Sequence, residues 1–516
     1  MTFNSTAFLL FYPIVLIGYF TARKIGGKVG ENLRWMFLLA ASYFFYMYSQ
    51  WKLVVLILFT TLVSWVCSLV IQNRNEAYAA AERDGTLTDQ LTRKIRGHKN
   101  LCLTLTLLAS LGVLFYFKYI YFLGGTVESI VGWFGGSFTF DVGEVLLPVG
   151  ISFYTFQTLS YAIDVYRGDI ETERHLGYYA LFVSFFPQLV AGPIERPGNL
   201  LPQLRVAPPV TGTDVKRGLQ KMTLGFFKKL VVADLISVYV NSIYNGVGTL
   251  ETLPALGVVI ATVLFAVQIY CDFSGYTDIA IGCARIMGIR LMKNFDHPYT
   301  AKTVREFWNR WHLSLSTWFR DYIYFPLGGS RCAKWKHLRN VAIVFLVSGL
   351  WHGAAWTFVI WGAIHAVYQV VGILTLPHRD RLLVRLKLNP KGKLVGTVRM
   401  ICTFVLVDFA WLFFRANSTK DMGALLGSLF SAKCWRVPLA EVFSLMGIDL
   451  VGAIVTALSF LLLLMLDRTV GHGDEPDRGA ALIRHDTLIL VVWCVILAWT
   501  VLVTGGLEST FIYFQF

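Results

Sequence analysis

Between Val341 and Leu376 the chain reads VAIVFLVSGLWHGAAWTFVIWGAIHAVYQVVGILTL, with no acidic or basic residue except His352 and His365. One helix of that length would extend roughly 54 Å at about 1.5 Å per residue, whereas the hydrocarbon core of a bilayer is about 30 Å thick. The segment must therefore fold back or break, and the break is expected at Gly349-Leu350-Trp351-His352-Gly353-Ala354-Ala355-Trp356. Gly349 and Gly353 stand in G-x-x-x-G spacing, which lets another helix backbone come close. Trp351 and Trp356 bracket the imidazole of His352 with rigid aromatic walls.

The rest of the chain has the same character. Of 516 residues, 55% are hydrophobic, 15% aromatic and only 15% charged, where about 25% charged is usual in soluble domains. The mean hydropathy is +0.57. A soluble enzyme of this size needs a polar skin that this composition does not supply, so the chain reads as an all-α polytopic membrane protein. Apolar runs lie at about 7–22, 34–50, 52–71, 101–123, 145–166, 222–244, 254–281, 340–354, 356–374, 397–414, 446–466 and 487–504, each near the length of about 20 residues that crosses a bilayer. These give about 11–12 transmembrane helices. The segments 177–192 and 304–326 are shorter or interrupted and read as re-entrant or interfacial helices, which are tolerated beside protein or an aqueous cavity. With no repeat or long linker, residues 1–516 form a single integral-membrane domain in this reading, with core motifs at 147–376 and C-terminal spans at 397–516.

The net charge of +14 would suggest nucleic acid on a soluble chain. Here it sorts by loop. Arg74, Arg83, Arg93, Lys94, Arg96 and Lys99 share one connection, and similar basic clusters occupy 193–229, 285–310, 331–339 and 379–393. Residues 124–144, by contrast, hold Glu128, Asp141 and Glu144 with no Lys or Arg. Threading the spans alternately puts the strongly basic connections on one side, which the positive-inside rule makes cytoplasmic, with both termini outside. The connection holding Arg415, Lys420, Lys433 and Arg436 is the exception. The protein is thus expected in the cell membrane as a multi-pass chain, with no nucleic-acid partner. Its eight cysteines form no C-x-x-C pair, so neither a disulfide framework nor a metal site is expected.

Ionisable groups within hydrocarbon are costly and therefore become functional candidates: Asp164, Asp272, Asp278, His312, His352, His365 and Asp408. His352 is either a dry, positioned general base or a buried histidine that only bonds a backbone carbonyl. His365 would face the opposite way on one helix, which favours packing. Trp308, Trp311, His312, Leu315, Phe319 and Tyr322 follow i, i+3, i+4, i+7 spacing, the mark of an amphipathic helix over 305–322. That helix is either an interfacial aromatic belt or the wall of a cavity with His312 as a second polar group. Asp272 and Tyr276 are i, i+4 neighbours. Asp272 and Asp278 could mark an ion path or orient a catalytic histidine. There is no phosphate loop, H-E-x-x-H pair or G-x-S-x-G elbow, so nucleotide-driven and serine-hydrolase mechanisms find no support.

Seven stretches carry a resemblance: Leu147–Tyr154 (LPVGISFY), Tyr161–Gly168 (YAIDVYRG), Phe186–Pro193 (FPQLVAGP), Asp272–Asp278 (DFSGYTD), Phe307–Trp318 (FWNRWHLSLSTW), Leu350–Gly353 (LWHG) and Phe511–Phe516 (FIYFQF). In this order they resemble the membrane-bound O-acyltransferase superfamily, and within it the integral-membrane subunit of bacterial alginate and related polysaccharide O-acetyltransferases. Gly192-Pro193-Ile194-Glu195-Arg196-Pro197 departs from the alginate subunit and is more similar to enzymes for other polymers, which leaves the polymer open.

The resemblance implies a ring of tilted helices around a funnel, with His352 as the catalytic histidine and His312 at the second polar position. Asp272, Tyr276, Trp308, Asn309, Trp311, Ser316 and Trp351 are expected to support or line the site. It further implies an acyl thioester donor, acetyl-CoA, used as a substrate with no tightly bound cofactor. The polysaccharide acceptor would be reached through an extracytoplasmic esterase-like partner protein. Two other readings stand beside it: a D-alanyl transferase for teichoic acid using a carrier-protein thioester, and a solute transporter or flippase.

Overall fold

The computed structural model describes residues 1–143, 145–190 and 192–470 together with residues 495, 496 and 499. Among them the chain is helical, with no strand. The expected span 487–504, beyond those three residues, and the motif 511–516 lie outside the described residues. Contacts divide the chain into two compact units, Met1–Leu219 with Ala280–Met292, and Gln220–Ile279 with Lys293–Phe516.

In the first unit, α1 (Thr6–Ile25) begins at Ser5, whose side chain accepts from the Phe8 amide. It pairs with α2 (Gly27–Gln50) over an aromatic core in which Phe11 meets Phe186 edge-on at 5.4 Å and Phe8 stacks on Tyr12 at 5.6 Å. Next come α3 (Val54–Arg83) and α4 (Asp89–Trp133), which pack together and against α5 (Ile151–Arg167). The small hydroxyl residues Thr155, Thr158 and Ser160 are all buried on α5. Gly150, at φ +73°, starts this helix; a Cβ there would lie 2.5 Å from the Leu189 carbonyl oxygen, so the turn needs glycine. The expected re-entrant segment 177–192 contains two short buried helices, α6 (Leu176–Ser184) and α7 (Phe186–Leu189). Beyond it, α8 (Pro197–Arg205) opens on proline, which suits a first helical turn.

The chain then runs through α9 (Gly212–Phe226), a π-helical turn at Phe227–Ala233, and α10 (Asp234–Tyr244). In the second unit, Gly225 and Gly275 let α9 and α11 (Ala255–Ile286) touch backbone to backbone. The stretch 304–326 is not one amphipathic helix. It breaks into α12 (Val304–Trp308) and α13 (Leu313–Phe319), followed by a π-helical turn at Arg320–Tyr324. The break lies at His312, which adopts φ +46°. Long-range pairing overrides the helical period there: Leu313 N–H donates to the Asn294 carbonyl at 2.9 Å, and Asp296 N–H donates to that of Arg310 at 2.9 Å. The break expected near Gly353 is present, between α14 (Lys334–His352) and α15 (Trp356–Arg385). The close approach, however, joins Gly349 to Gly362: a Cβ on Gly349 would lie 2.4 Å from the Phe358 carbonyl, and one on Gly362 would lie 2.5 Å from that of Phe345. After α16 (Lys393–Arg415) and α17 (Thr419–Phe430), α18 (Leu439–Met446) leads into α19 (Leu450–Val470).

Among the described residues, six helical stretches are long and apolar enough to cross a membrane: Thr6–Ile25, Gly27–Arg83, Asp89–Trp133, Ala255–Ile286, Trp356–Arg385 and Lys393–Arg415. The second contains both expected spans 34–50 and 52–71. Leu439–Met446 with Leu450–Leu466 meets the same test as a pair bent by 80°. Three other expected spans differ. Residues 145–166 yield only the short α5, 222–244 is split by a turn carrying Lys228 and Lys229, and α14 begins with Lys334, Lys336 and Arg339. The chain is a multi-pass membrane protein.

Candidate active site

His352 is the last residue of α14, and His312 sits in the turn before α13. Both are buried, at 4% and 0% exposure. The indole of Trp351 lies between them, its ring 6.0 Å from His312 and 5.0 Å from His352, edge-on to each. Trp361 and Phe414 close the other sides of His352 at 5.1 and 5.5 Å. Phe273 stands edge-on to His312 at 4.6 Å. Two histidines from separate segments thus meet one tryptophan inside an aromatic enclosure. Such walls exclude water and strengthen any charge interaction made within them.

His312 is fixed by polar contacts as well. Its Nδ1 lies 3.1 Å from Asn294 Oδ1, and that oxygen also accepts from the backbone N–H and the hydroxyl of Ser314, at 3.2 and 2.9 Å. The carboxamide Nδ2 faces the Thr277 hydroxyl at 3.4 Å. Nothing in the spacing of the sequence marks Asn294, Ser314, Trp361 or Phe414 as neighbours of these histidines, because the pairings join segments distant in the chain.

The other expected site residues divide into groups. Trp308 donates from Nε1 to His365 Nδ1 at 3.2 Å, within a cluster that includes Trp361 at 5.7 Å. Trp311 is buried between Phe307, stacked at 5.5 Å, and Trp411 at 5.2 Å. The hydroxyl of Ser316 donates to the Trp311 carbonyl at 3.2 Å. Asn309 ends α12 as an exposed residue outside the enclosure. Tyr276 is fully buried on α11.

Asp272 belongs to an ionic cluster. Lys229 bridges Asp272 and Asp234, each at 2.9 Å, while Lys221 and Lys228 reach the two oxygens of Asp278 at 3.0 Å. All six side chains are buried or nearly so. Lys228, Lys229 and Asp234, within the otherwise uncharged run 222–244, were the available signal for this cluster. Among the described residues no group of His, Cys, Asp and Glu could hold a metal ion.

The enclosure combines a buried imidazole at a helix end, a second imidazole held by side-chain bonds, and aromatic walls. This is a dry setting suited to proton transfer from a hydroxyl in acyl transfer. Comparison with known proteins points the same way. The chain is 33% identical over 531 residues to a probable alginate O-acetylase AlgI of Pseudomonas putida, covering 100% of both chains. It is 31% identical over 452 residues to the peptidoglycan O-acetyltransferase of Helicobacter pylori, covering 82% of this chain and 78% of the relative. Similarity to the teichoic acid D-alanyltransferase of Streptococcus thermophilus is shorter, 29% identity over 52% of this chain and 68% of the relative. The family model for MBOAT, membrane-bound O-acyltransferase family, matches residues 1–383, and the chain therefore belongs to the membrane-bound O-acyltransferase family.

Proposed function

We propose that this O-acyltransferase moves an acetyl group from cytoplasmic acetyl-CoA towards hydroxyls of an extracytoplasmic polysaccharide, through an esterase-like partner protein. The observation that carries the reading is the convergence of His312 and His352 on Trp351 within one buried enclosure. In the transfer, the accepting hydroxyl oxygen attacks the thioester carbonyl. His352 takes the hydroxyl proton, a C–O bond forms as the C–S bond breaks, and the proton passes to the departing thiolate. Orientation with the basic connections in the cytoplasm puts the anionic donor on the side where Arg305, Arg310 and Arg320 lie.

Acetyl is favoured over D-alanyl because relatives named for alginate and peptidoglycan O-acetylation match at higher identity and over more of the chain than the D-alanyltransferase. Family membership replaces the transporter reading. The test uses membranes containing the full chain with radiolabelled acetyl-CoA. Intact protein is expected to release CoA and support polymer acetylation, and His352→Ala at equal membrane abundance is expected to do neither. Wild-type acetylation by His352→Ala overturns the assignment.

A further inference from the structure

The bonds at Asn294 decide which nitrogen of His312 carries its proton. Ser314 N–H can only donate, and it points at one terminal atom of the Asn294 carboxamide at 3.2 Å. That atom is therefore the oxygen, an acceptor with no proton of its own. The Ser314 hydroxyl donates to the same oxygen at 2.9 Å. His312 Nδ1, 3.1 Å from this oxygen, must then carry the hydrogen, which leaves a lone pair on Nε2. Nε2 is buried and has no hydrogen-bond partner among the described residues. Asn294 is itself 1% exposed, and its backbone carbonyl receives Leu313 N–H, the bond that helps hold His312 at φ +46°. One residue thus fixes both the backbone and the tautomer.

Building on the acetyl-transfer reading above, we infer that Asn294 is a positioning residue that locks His312 with its acceptor nitrogen towards the substrate. His312 then accepts a hydrogen bond from an O–H or amide N–H of the bound substrate, while the proton released in the reaction goes to His352. An oxyanion needs a donor, and a neutral His312 held in this way offers none at Nε2. The bonds therefore assign His312 to orienting the substrate and not to stabilising an oxyanion.

The ionisable groups on the segments around His312 are Asp272 and Asp278 on α11, Lys293, Asp296 and His297 beside Asn294, Arg310 before it, and His352 on α14. Lys229 pairs with Asp272, Lys221 and Lys228 with Asp278, Lys293 with Asp296 and Glu306 with Arg310.

The test measures CoA release from acetyl-CoA by the full chain across pH. Asn294→Leu is expected to lower kcat/KM roughly 100-fold, the cost of a misplaced substrate group. In a His312→Ala background the same change should cost no more than about twofold, because coupled residues are non-additive. Asn294→Asp keeps the accepting oxygen and so keeps the tautomer. Its charge favours the imidazolium, which lacks the lone pair, so the acid limb of kcat/KM should move up by about 1 pH unit or more. An additive loss in the double variant, or an Asn294→Asp profile superimposable on wild type, overturns the inference. Absence of CoA release by the intact protein overturns the acetyl-transfer reading itself.

Discussion

His352 and His365 share one uncharged stretch, yet their neighbours give them different work. His352 ends its helix among Trp351, Trp361 and Phe414, beside the tryptophan that also meets His312. His365 accepts at Nδ1 from Trp308 and is packed edge-on against Trp308 and Trp361 at 5.1 and 4.9 Å. Replacing His365 with Phe keeps the ring volume and strands the Trp308 donor, which should cost about 1 to 3 kcal/mol of stability. CoA release should stay within a few-fold of wild type. Thermal unfolding in detergent and the release assay check the two halves, and a loss as complete as that of His352→Ala would move His365 into the active machinery. At this scale, His352 was legible as a candidate, because glycine and tryptophan frame it in sequence, while its spacing left general base and packing both open. Asn294 was not, because its role rests on bonds to residues that only the fold brings near.

Among the elements, helix breaks place the two histidines of the candidate site. The break at Gly353 could be read from an apolar stretch too long for one crossing, but the break at His312 could not, since the aromatic period continues through it. The π-helical turn at Phe227–Ala233 is a third case. It places Lys228 and Lys229 side by side where α9 meets α11 at Gly225 and Gly275, and each lysine reaches a carboxylate on α11. Sequence alone assigned these lysines to a cytoplasmic loop by charge, whereas burial with Asp234, Asp272 and Asp278 makes them internal. Lys229→Met removes the ammonium that Asp234 and Asp272 share, and breaking one partner of a buried ionic group costs about 3 to 5 kcal/mol. Adding Asp272→Asn should return part of that loss, because one fewer carboxylate then needs a cation. Midpoints of thermal unfolding for wild type, Lys229→Met and the double variant measure it. A double variant less stable than Lys229→Met by the full effect of Asp272→Asn alone would contradict the shared-charge account.

Across the molecule, a chain of mostly apolar residues with a net charge of +14 must settle each ionic group it buries. Arg205 and Glu173 settle by pairing at 2.5 Å, with the carboxylate buried and the guanidinium half exposed. Arg285 reaches Asp214 at 3.5 Å. Glu195, in the loop before α8, settles differently. It is fully buried, accepting from the Met292 N–H and from Asn199 Nδ2 at 2.7 Å. Burial pushes its carboxyl up to about 7, against the opposing pull of the Met292 amide, Asn199 and Arg196. A carboxyl raised on folding is worth most when protonated in both states. Its contribution is therefore fully present below its ordinary value of 4.5 and is lost as pH rises through about 7. The loss amounts to about 1.4 kcal/mol for each pH unit between those values. The unfolding midpoint in detergent should accordingly fall between pH 5 and pH 8. Glu195→Gln, whose oxygen still accepts from Met292 and whose amide can meet a turned Asn199, should flatten that fall. If wild type and Glu195→Gln lose stability in parallel over this window, the dependence lies elsewhere, and the loop before α8 holds its glutamate ionised.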